Sequence, residues 1–482
     1  MSAKASAIVQ RVWNYAHVLK DDGLAFIEYT EQITYLLFLK LAWERRGKEG
    51  QCEIPSRYGW DKLVAISDDL ALAKRYEQAL RNLSTQPGLL GLIFAKPQSK
   101  INDPAKLRRL FQLIDEQNWA DLDFDVKGEI YEGLLARNAE DVRGGAGQYF
   151  TPRPVIRAIV QVMQPDARTR ISDPACGTGG FLLAAYEYMN KPGLTSGERR
   201  FLQSRALHGT DIVSSVTRLC AMNLYLHGLT GLERPLVEVA DSLARTPPPV
   251  DMVLTNPPFG KKSSITVFSD ESRKESDSIY YERKEFWATT SNKQLNFLQH
   301  VYTMLSEQGR AAVVVPDNVL FEGGAGEKIR RGLLERCDVH TLLRLPTGIW
   351  YSTGVKANVL FFDKKPQSKA PNTQRLWVYD LRTNRHFTLR NNPITTESLT
   401  DFILCFHADN RALRHESERF RCFDYKDIVT REKANLDILW LKDDSLEDNV
   451  NLAPPDKLAR EIIVDLETAL EEFRAAEQAI QL

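Results

Sequence analysis

From residue 170 onward, short apolar runs recur with helical stretches between them, at 170–172, 207–210, 236–239, 252–254, 311–315, 341–345 and 359–362. Each run is strand-sized, and the intervening segments are long enough for a crossover that returns the chain to the same edge, as parallel neighbours require. The pattern predicts an α/β fold whose mainly parallel sheet is covered on both faces. It also says where a ligand would sit, because in such sheets sites lie outside the carboxyl ends of the strands. Asp173, Asp211, Asp241 and Asn256 all fall at such ends.

Two of these strand ends carry chemistry. After the run Met252-Val253-Leu254 comes Asn256-Pro257-Pro258-Phe259. The prolines fix φ and lack N–H donors, so their carbonyls stay available as acceptors, while Asn256 adds a side-chain oxygen and Phe259 a flat stacking face. The set suits a planar exocyclic amine; a plain Pro-rich turn is the alternative. Upstream, Asp173-Pro174-Ala175-Cys176-Gly177-Thr178-Gly179-Gly180-Phe181 runs from a strand into a helical pattern. Gly177, Gly179 and Gly180 permit a tight turn and close approach of a ligand to the backbone, with a tight strand-to-helix turn that binds nothing as the alternative. No Lys-Ser/Thr pair follows the glycines and the G-x-G-x-x-G spacing is absent, so neither a P-loop nor a dinucleotide loop is present. An acid ahead of the glycines instead suits a cofactor with an ammonium and no phosphate, as S-adenosylmethionine has. At the ends of their strands, the carboxylate of Asp211 is able to accept from ribose hydroxyls and that of Asp241 from an adenine amine. A helix N-cap is the alternative for each of these acids.

Taken in order, Gln148-Tyr149-Phe150-Thr151-Pro152-Arg153-Pro154-Val155, the glycine segment and the Asn-Pro-Pro-Phe tetrapeptide resemble the N6-adenine DNA methyltransferases, and more narrowly the modification subunit of type I restriction-modification systems. The resemblance covers about residues 145–363, and the flanks match more loosely. It implies a Rossmann-like class I methyltransferase sheet with an N-terminal helical domain and a C-terminal helical tail. It also implies S-adenosylmethionine as cofactor, no metal, and methylation of adenine N6 in double-stranded DNA on a base flipped out of the helix. Tyr149, Phe150 and Thr151 would cover the methionine end of the cofactor, with core packing the alternative for Phe150. Asp173, Ala175, Gly177, Thr178, Gly179, Gly180, Phe181, Asp211 and Asp241 would complete the cofactor site, and Asn256, Pro257, Pro258 and Phe259 the catalytic one. One departure is the distance from the glycines to Asp211, which exceeds the roughly 20 residues usual in dinucleotide folds and makes 191–205 an extension. Trp350 falls in the family's hairpin before the last strand, beside the base pocket or in the core. The implied partners are a specificity subunit, a second copy of the chain and a motor nuclease subunit. A stand-alone adenine methyltransferase, a methyltransferase acting on a protein glutamine amide, and a DNA-binding scaffold without activity are the other readings.

The remaining sequence divides around that centre. Residues 1–142 show helical periodicity, with Ile8, Val12 and Tyr15 on one face and Ile33, Leu36, Leu37 and Leu41 on another, and with Asp121, Asp123 and Asp125 as caps before Ile130, Tyr131, Leu134 and Leu135. A glycine-rich stretch at 143–147 is a hinge, either linker or lid. The methyltransferase domain is expected over 143–400 and a helical partner-binding region over 401–482, where Ile462, Ile463, Leu466, Leu470 and Phe473 form an apolar stripe suited to a partner helix or to the chain's own domain. The polar segment 260–290 is a solvated loop or an element that orders against DNA. His208 and His227 lie in apolar contexts as structural histidines. A net charge of -1 argues against a protein that tracks DNA alone, so phosphate contacts are local or shared with a partner. The six cysteines show no zinc-ligand spacing, which fits reduced thiols. With no signal-peptide pattern and no span-length apolar run, the expected location is the cytoplasm.

Overall fold

All seven expected strands form in the computed structural model, which describes residues 26–44, 54–116, 151–229, 231, 235–259, 266–268, 280–350, 355–389 and 391–442. They are β1 (Ile171–Asp173), β2 (Leu207–Asp211), β3 (Val237–Val239), β4 (Val250–Thr255), β7 (Leu305–Pro316), β8 (Cys337–Arg344) and β9 (Ala357–Lys364). β5 (Thr266–Phe268) and β6 (Tyr280–Glu282) pair with each other in the segment after the tetrapeptide. The main sheet runs β3-β2-β1-β4-β7-β9-β8 and continues through β10 (Arg375–Asp380) to β11 (Phe420–Asp424). Strands from β3 to β7 are parallel, whereas β9 runs antiparallel between β7 and β8. The order reverses between β1 and β4, which are hydrogen-bonded neighbours, so the loops that leave them diverge to opposite sides and open a crevice at their carboxyl ends.

Among the described residues the main sheet therefore has nine strands, two more than expected, and it extends beyond residue 400, where the helical region was expected to begin. Leu376-Trp377-Val378-Tyr379 is a buried β-type run, but Arg375 and Asp380 bound it so closely that the charges dominate the pattern. Among the described residues β11 pairs with β10 alone, and it carries the mixed polarity of an edge strand.

The helices are α1 (Phe26–Glu44), α2 (Trp60–Val64), α3 (Asp69–Leu83), α4 (Gly88–Ile93), α5 (Pro104–Asp115), α6 (Arg153–Met163), α7 (Gly180–Met189), α8 (Ser196–Ser204), α9 (Ser214–Leu226), α10 (Lys293–Met304), α11 (Asp317–Phe321), α12 (Ala325–Arg336), α13 (Thr400–Phe406) and α14 (Tyr425–Thr430). Local chemistry starts several of them. Asp68 accepts from the Ala71 N–H at 2.7 Å, and Asp103 caps α5 ahead of Pro104 in the first turn. The extension at 191–205 holds α8, opened by a reciprocal capping box between Thr195 and Glu198.

Alternation along the central strands splits the core. Leu254 and Phe361 face a cluster containing α6, α7, α9 and the N-terminal helices, whereas Val253 and Phe362 face one built on α10 and α12. Ile33, Leu36, Leu37 and Leu41 are buried in the first cluster, and the N-terminal helical layer rests on α9. There Phe38 meets Tyr225 with ring centroids 5.3 Å apart, and Arg218 donates to the Ala95 carbonyl at 3.2 Å. Ile8, Val12, Tyr15, the acids and apolar residues of 121–135, the hinge at 143–147 and the stripe at 462–473 lie outside the described residues.

Candidate active site

β1 delivers Asp173 into a buried position, 1% exposed, where its carboxylate accepts the Ala175 N–H at 3.1 Å. Beyond it, the chain turns through Gly177 at φ +54° and Gly179 at φ +86°. At Gly179 an added Cβ would also lie 2.7 Å from Cys220 Sγ, so conformation and space both require glycine there. At Gly177 an added Cβ would meet nothing within 4 Å, leaving that side of the loop open. Gly180 has a packing role, with Ile156 Cδ1 2.9 Å from where a Cβ would stand, and the Phe181 side chain is buried in the core at 3% exposure. The placement of Phe181 leaves its backbone, not its ring, at the turn.

Asp211, at the end of β2, ties the turn together by accepting from Gly177 N–H at 3.0 Å and Val213 N–H at 2.9 Å. Two further supports had no motif to mark them. Asn223 of α9 donates to the Thr178 carbonyl at 3.0 Å, and the Ser242 hydroxyl to the Pro174 carbonyl at 2.5 Å. Both are single polar residues inside apolar or loop sequence, where spacing carries no signal. Asp241 takes the capping position that its sequence allowed, accepting Leu243 N–H at 2.9 Å.

Burial pushes the Asp173 carboxyl up to about 7, and the nearby charge of Asp211 adds to the rise. Burial likewise raises Asp211, against the opposing pull of its Val213 and Gly177 donors. The charge of Asp211 therefore adds to the burial cost of a charged Asp173, beside a turn that is open at Gly177.

The tetrapeptide leaves the adjacent strand at the same end of the sheet, since β1 and β4 pair through Ile171 with Met252 and Ser172 with Val253. Asn256 Nδ2 donates to Thr151 Oγ1 at 2.9 Å, which directs the Oδ1 of the same amide away from Thr151. Pro257 is buried and Pro258 exposed, with the Pro258 carbonyl accepting from Gln294 Nε2 at 3.1 Å. Phe259 packs edge-on against Trp350, centroids 6.2 Å apart at 74°, and Trp350 is 2% exposed. Trp350 is thus a core residue that also backs the tetrapeptide's aromatic. Gln294 is another contact without a sequence signal.

The structure thus brings Thr151 to Asn256, and Asp173, Ala175, Gly177, Thr178, Gly179 and Asp211 to one turn, while Tyr149 and Phe150 lie outside the described residues. His208 and His227 make structural contacts, His208 Nδ1 to the Pro235 carbonyl at 3.3 Å and His227 Nδ1 to the Asn223 carbonyl at 2.7 Å. A cavity of about 300 Å³ lined by Ser172, His208, Thr210, Glu238 and Arg245 opens elsewhere, on side chains that alternate with Asp173 and Asp211 along their strands. Among the described residues, no helix is long and apolar enough to cross a membrane, and no group of three or more His, Cys, Asp or Glu side chains is placed to hold a metal.

The sheet order, with its antiparallel β9, and the loop set at the switch point define a class I methyltransferase fold of the S-adenosylmethionine-dependent class. A model of the N-6 DNA methylase family matches residues 122–439, and one of the HsdM N-terminal domain matches 8–116. The chain is 35% identical to the type I restriction enzyme StySPI methylase subunit of Salmonella potsdam, over 97% of this chain and 94% of that protein. It is also 35% identical, with the same coverage, to the EcoKI methylase subunit of Escherichia coli strain K12. A crystal structure of a modification subunit of a putative type I restriction enzyme from Vibrio vulnificus YJ016 superposes with a TM-score of 0.72 at 26% identity, covering 88% of this chain and 93% of that one. The crystal structure of the EcoKI M protein superposes with a TM-score of 0.55 at 32% identity, covering 99% and 96%. The chain belongs to the N-6 DNA methylase family, as a methylase subunit of the type I restriction enzymes and an adenine-specific DNA methyltransferase.

Proposed function

We propose that the crevice between β1 and β4 holds S-adenosylmethionine on the glycine turn and a flipped adenine on the tetrapeptide. The observation that carries this reading is the side-by-side exit of the two loops from paired strands, with the Asn256 amide oriented by Thr151. The residues fit the cofactor: the turn is open at Gly177, and two carboxylates stand without a guanidinium or ammonium on them among the bonds they make. When bound, S-adenosylmethionine supplies a sulfonium methyl group. Asp173 favours its positive charge, Asp211 accepts from ribose hydroxyls, Asp241 from the adenine amine, and the backbone of Ala175 and of 177–181 lines the turn. Tyr149, Phe150 and Thr151 close the methionine end.

The target nitrogen is a poor nucleophile because its lone pair is delocalised into the ring. Asn256 Oδ1 and the Pro257 carbonyl, each accepting one N–H, orient the amine and favour a pyramidal nitrogen whose lone pair faces the methyl donor. Phe259 stacks on the extruded base, with Trp350 behind it. The tetrapeptide contains no titratable side chain, so the proton leaves to water after the nitrogen has gained its fourth bond. A net charge of -1 leaves sequence reading and much of the phosphate contact to a specificity subunit, in a complex with a second copy of the chain and a restriction subunit in the cytoplasm. A structure concerned with complex assembly of a type I system contains a chain that superposes with a TM-score of 0.67 at 25% identity over 98% of both.

The test is modification-sensitive sequencing of host DNA with the wild-type chain and with Asn256→Ala. The wild type is expected to leave N6-methyladenine in a two-part sequence. The substitution should lower methylation at least ~100-fold with cofactor affinity within a few fold. Retained methylation would overturn the assignment of Asn256.

A further inference from the structure

The chain that leaves the tetrapeptide returns at Arg283 and is received by α10, whose buried amides hold its backbone. Gln299 accepts from the N–H groups of Trp287 and Ala288 at 2.7 and 2.9 Å and donates to the Ala288 carbonyl at 3.1 Å. Asn296 donates to the Thr290 carbonyl at 2.9 Å. The first amide of this row, Gln294, reaches instead to the departure point, the Pro258 carbonyl at 3.1 Å, from a side chain only 6% exposed. Its own placement is fixed by Asn292, which caps α10 through the Gln294 N–H at 3.0 Å and donates to Glu322 at 2.9 Å.

This bond bears on the chemistry because of what two consecutive prolines lack. Neither Pro257 nor Pro258 has an N–H, so the middle of the tetrapeptide can be held from outside only through carbonyls. Asn256 and Pro257 each precede a proline and are restricted to extended backbone, in which successive carbonyls turn to different sides. A donor that draws the Pro258 carbonyl towards α10 therefore keeps the Pro257 carbonyl turned elsewhere. It also removes Pro258 as a competing acceptor one peptide away and sets the direction in which Phe259 departs.

We propose that Gln294 is a positioning residue for methyl transfer, whose buried amide N–H on Pro258 selects the Pro257 carbonyl as the acceptor for the target amine. The inference rests on the reading of Asn256 and Pro257 given above. In this reading Gln294 acts through the Pro258 carbonyl and not on base or cofactor, so its loss lowers the rate of the chemical step and leaves binding in place.

The experiment compares Gln294→Glu and Gln294→Ala with wild type as full-length chain in complex with its specificity subunit, on a duplex bearing the sequence found in host DNA. Single-turnover methylation is measured from pH 6 to 9, alongside cofactor affinity, DNA affinity, thermal melting and the fluorescence of 2-aminopurine at the target position. Ionised, Gln294→Glu keeps the shape but loses the donor; protonated, it regains an O–H. At pH 8 its rate is expected to fall about 10- to 100-fold, a scale set by misplacement of a reacting group, with both affinities within about twofold and base flipping retained. The deficit should shrink as the pH is lowered, whereas that of Gln294→Ala should keep a constant ratio to wild type. A normal rate for Gln294→Glu at pH 8, or a loss that melting and cofactor affinity follow in equal measure, would overturn the proposal. If Asn256→Ala abolishes methylation while Gln294→Glu does not impair it, only this inference fails; if Asn256→Ala methylates normally, the underlying reading fails first.

Discussion

Two halves of one sheet edge treat their carboxylates in opposite ways. On the side of β1 and β2, Asp173 and Asp211 are satisfied by backbone N–H groups of Ala175, Gly177 and Val213, and burial raises both. On the side of β7 to β10, acids are closed by guanidinium groups. Asp317 takes a bidentate pair from Arg382 at 2.8 and 2.9 Å, and Asp380 pairs with Arg344 at 2.9 Å. Burial alone would raise Asp317, but the Arg382 bonds and charge hold it below the usual carboxylate range. The difference separates binding from bracing. An acid already neutralised within the protein gains little from a ligand, whereas one held only by neutral donors gains from any cation or hydroxyl offered to it.

The braced half has its own task. Arg382 also donates to the carbonyls of Leu345 at 2.8 Å and Ala357 at 2.9 Å, the two feet of the loop that carries Trp350 against Phe259. Replacing Arg382 by Ala removes the cation from a half-buried carboxylate that keeps only the Asn358 amide at 2.8 Å, and takes one bond from each of two carbonyls, and the expected cost is about 3 kcal/mol of stability. Arg382→Lys should recover only part, since an ammonium does not reproduce the fork. Denaturant unfolding checks both. Cofactor affinity of the folded variant should match wild type; a parallel loss of affinity would erase the distinction between the halves.

The smaller, opposite experiment is Asp211→Asn. The side chain keeps its shape, but the charge disappears and one N–H now faces an NH2 group. Cofactor affinity is expected to fall about 10- to 100-fold, or about 1.4–2.7 kcal/mol, with little change in melting. Unchanged affinity in a calorimetric titration would reduce Asp211 to a tie between two turns.

What could be read from the sequence follows the same division. The seven strands, the glycine turn and the tetrapeptide were legible because each depends on local rules: apolar runs of strand length, residues with positive φ, and prolines without donors. The supports were not. Asn223, Ser242 and Gln294 each make one hydrogen bond to a residue 36 to 68 positions away, and no periodicity encodes a contact of that kind. The last two strands were hidden for a related reason. Arg375 and Asp380 read as solvated charge until the fold supplies partners, as Arg344 does for Asp380.

pH makes the comparison sharpest, because the halves are expected to respond with opposite sign. Asp173 titrates at about 7 in the folded chain against about 3.9 unfolded, so between those values the folded state binds the extra proton. Its contribution to stability is full below pH ~4, declines as the pH rises, and is lost above ~7. In the braced half, burial lowers His340 to about 4, below the unfolded value of about 6.5, so that residue's contribution is lost as the pH falls through this window. Asp173→Asn keeps an oxygen for the Ala175 N–H and removes the titration. Urea unfolding at pH 4.5, 6 and 8 should show a variant close to wild type at the acid end and more stable by about 1–3 kcal/mol at the alkaline end. A gain equal at all three values would mean that the carboxyl does not titrate there. The same ionisation couples to the cofactor: a cation that favours charged Asp173 displaces its proton, so wild-type affinity should rise from pH 6 to 8 while that of Asp173→Asn stays level.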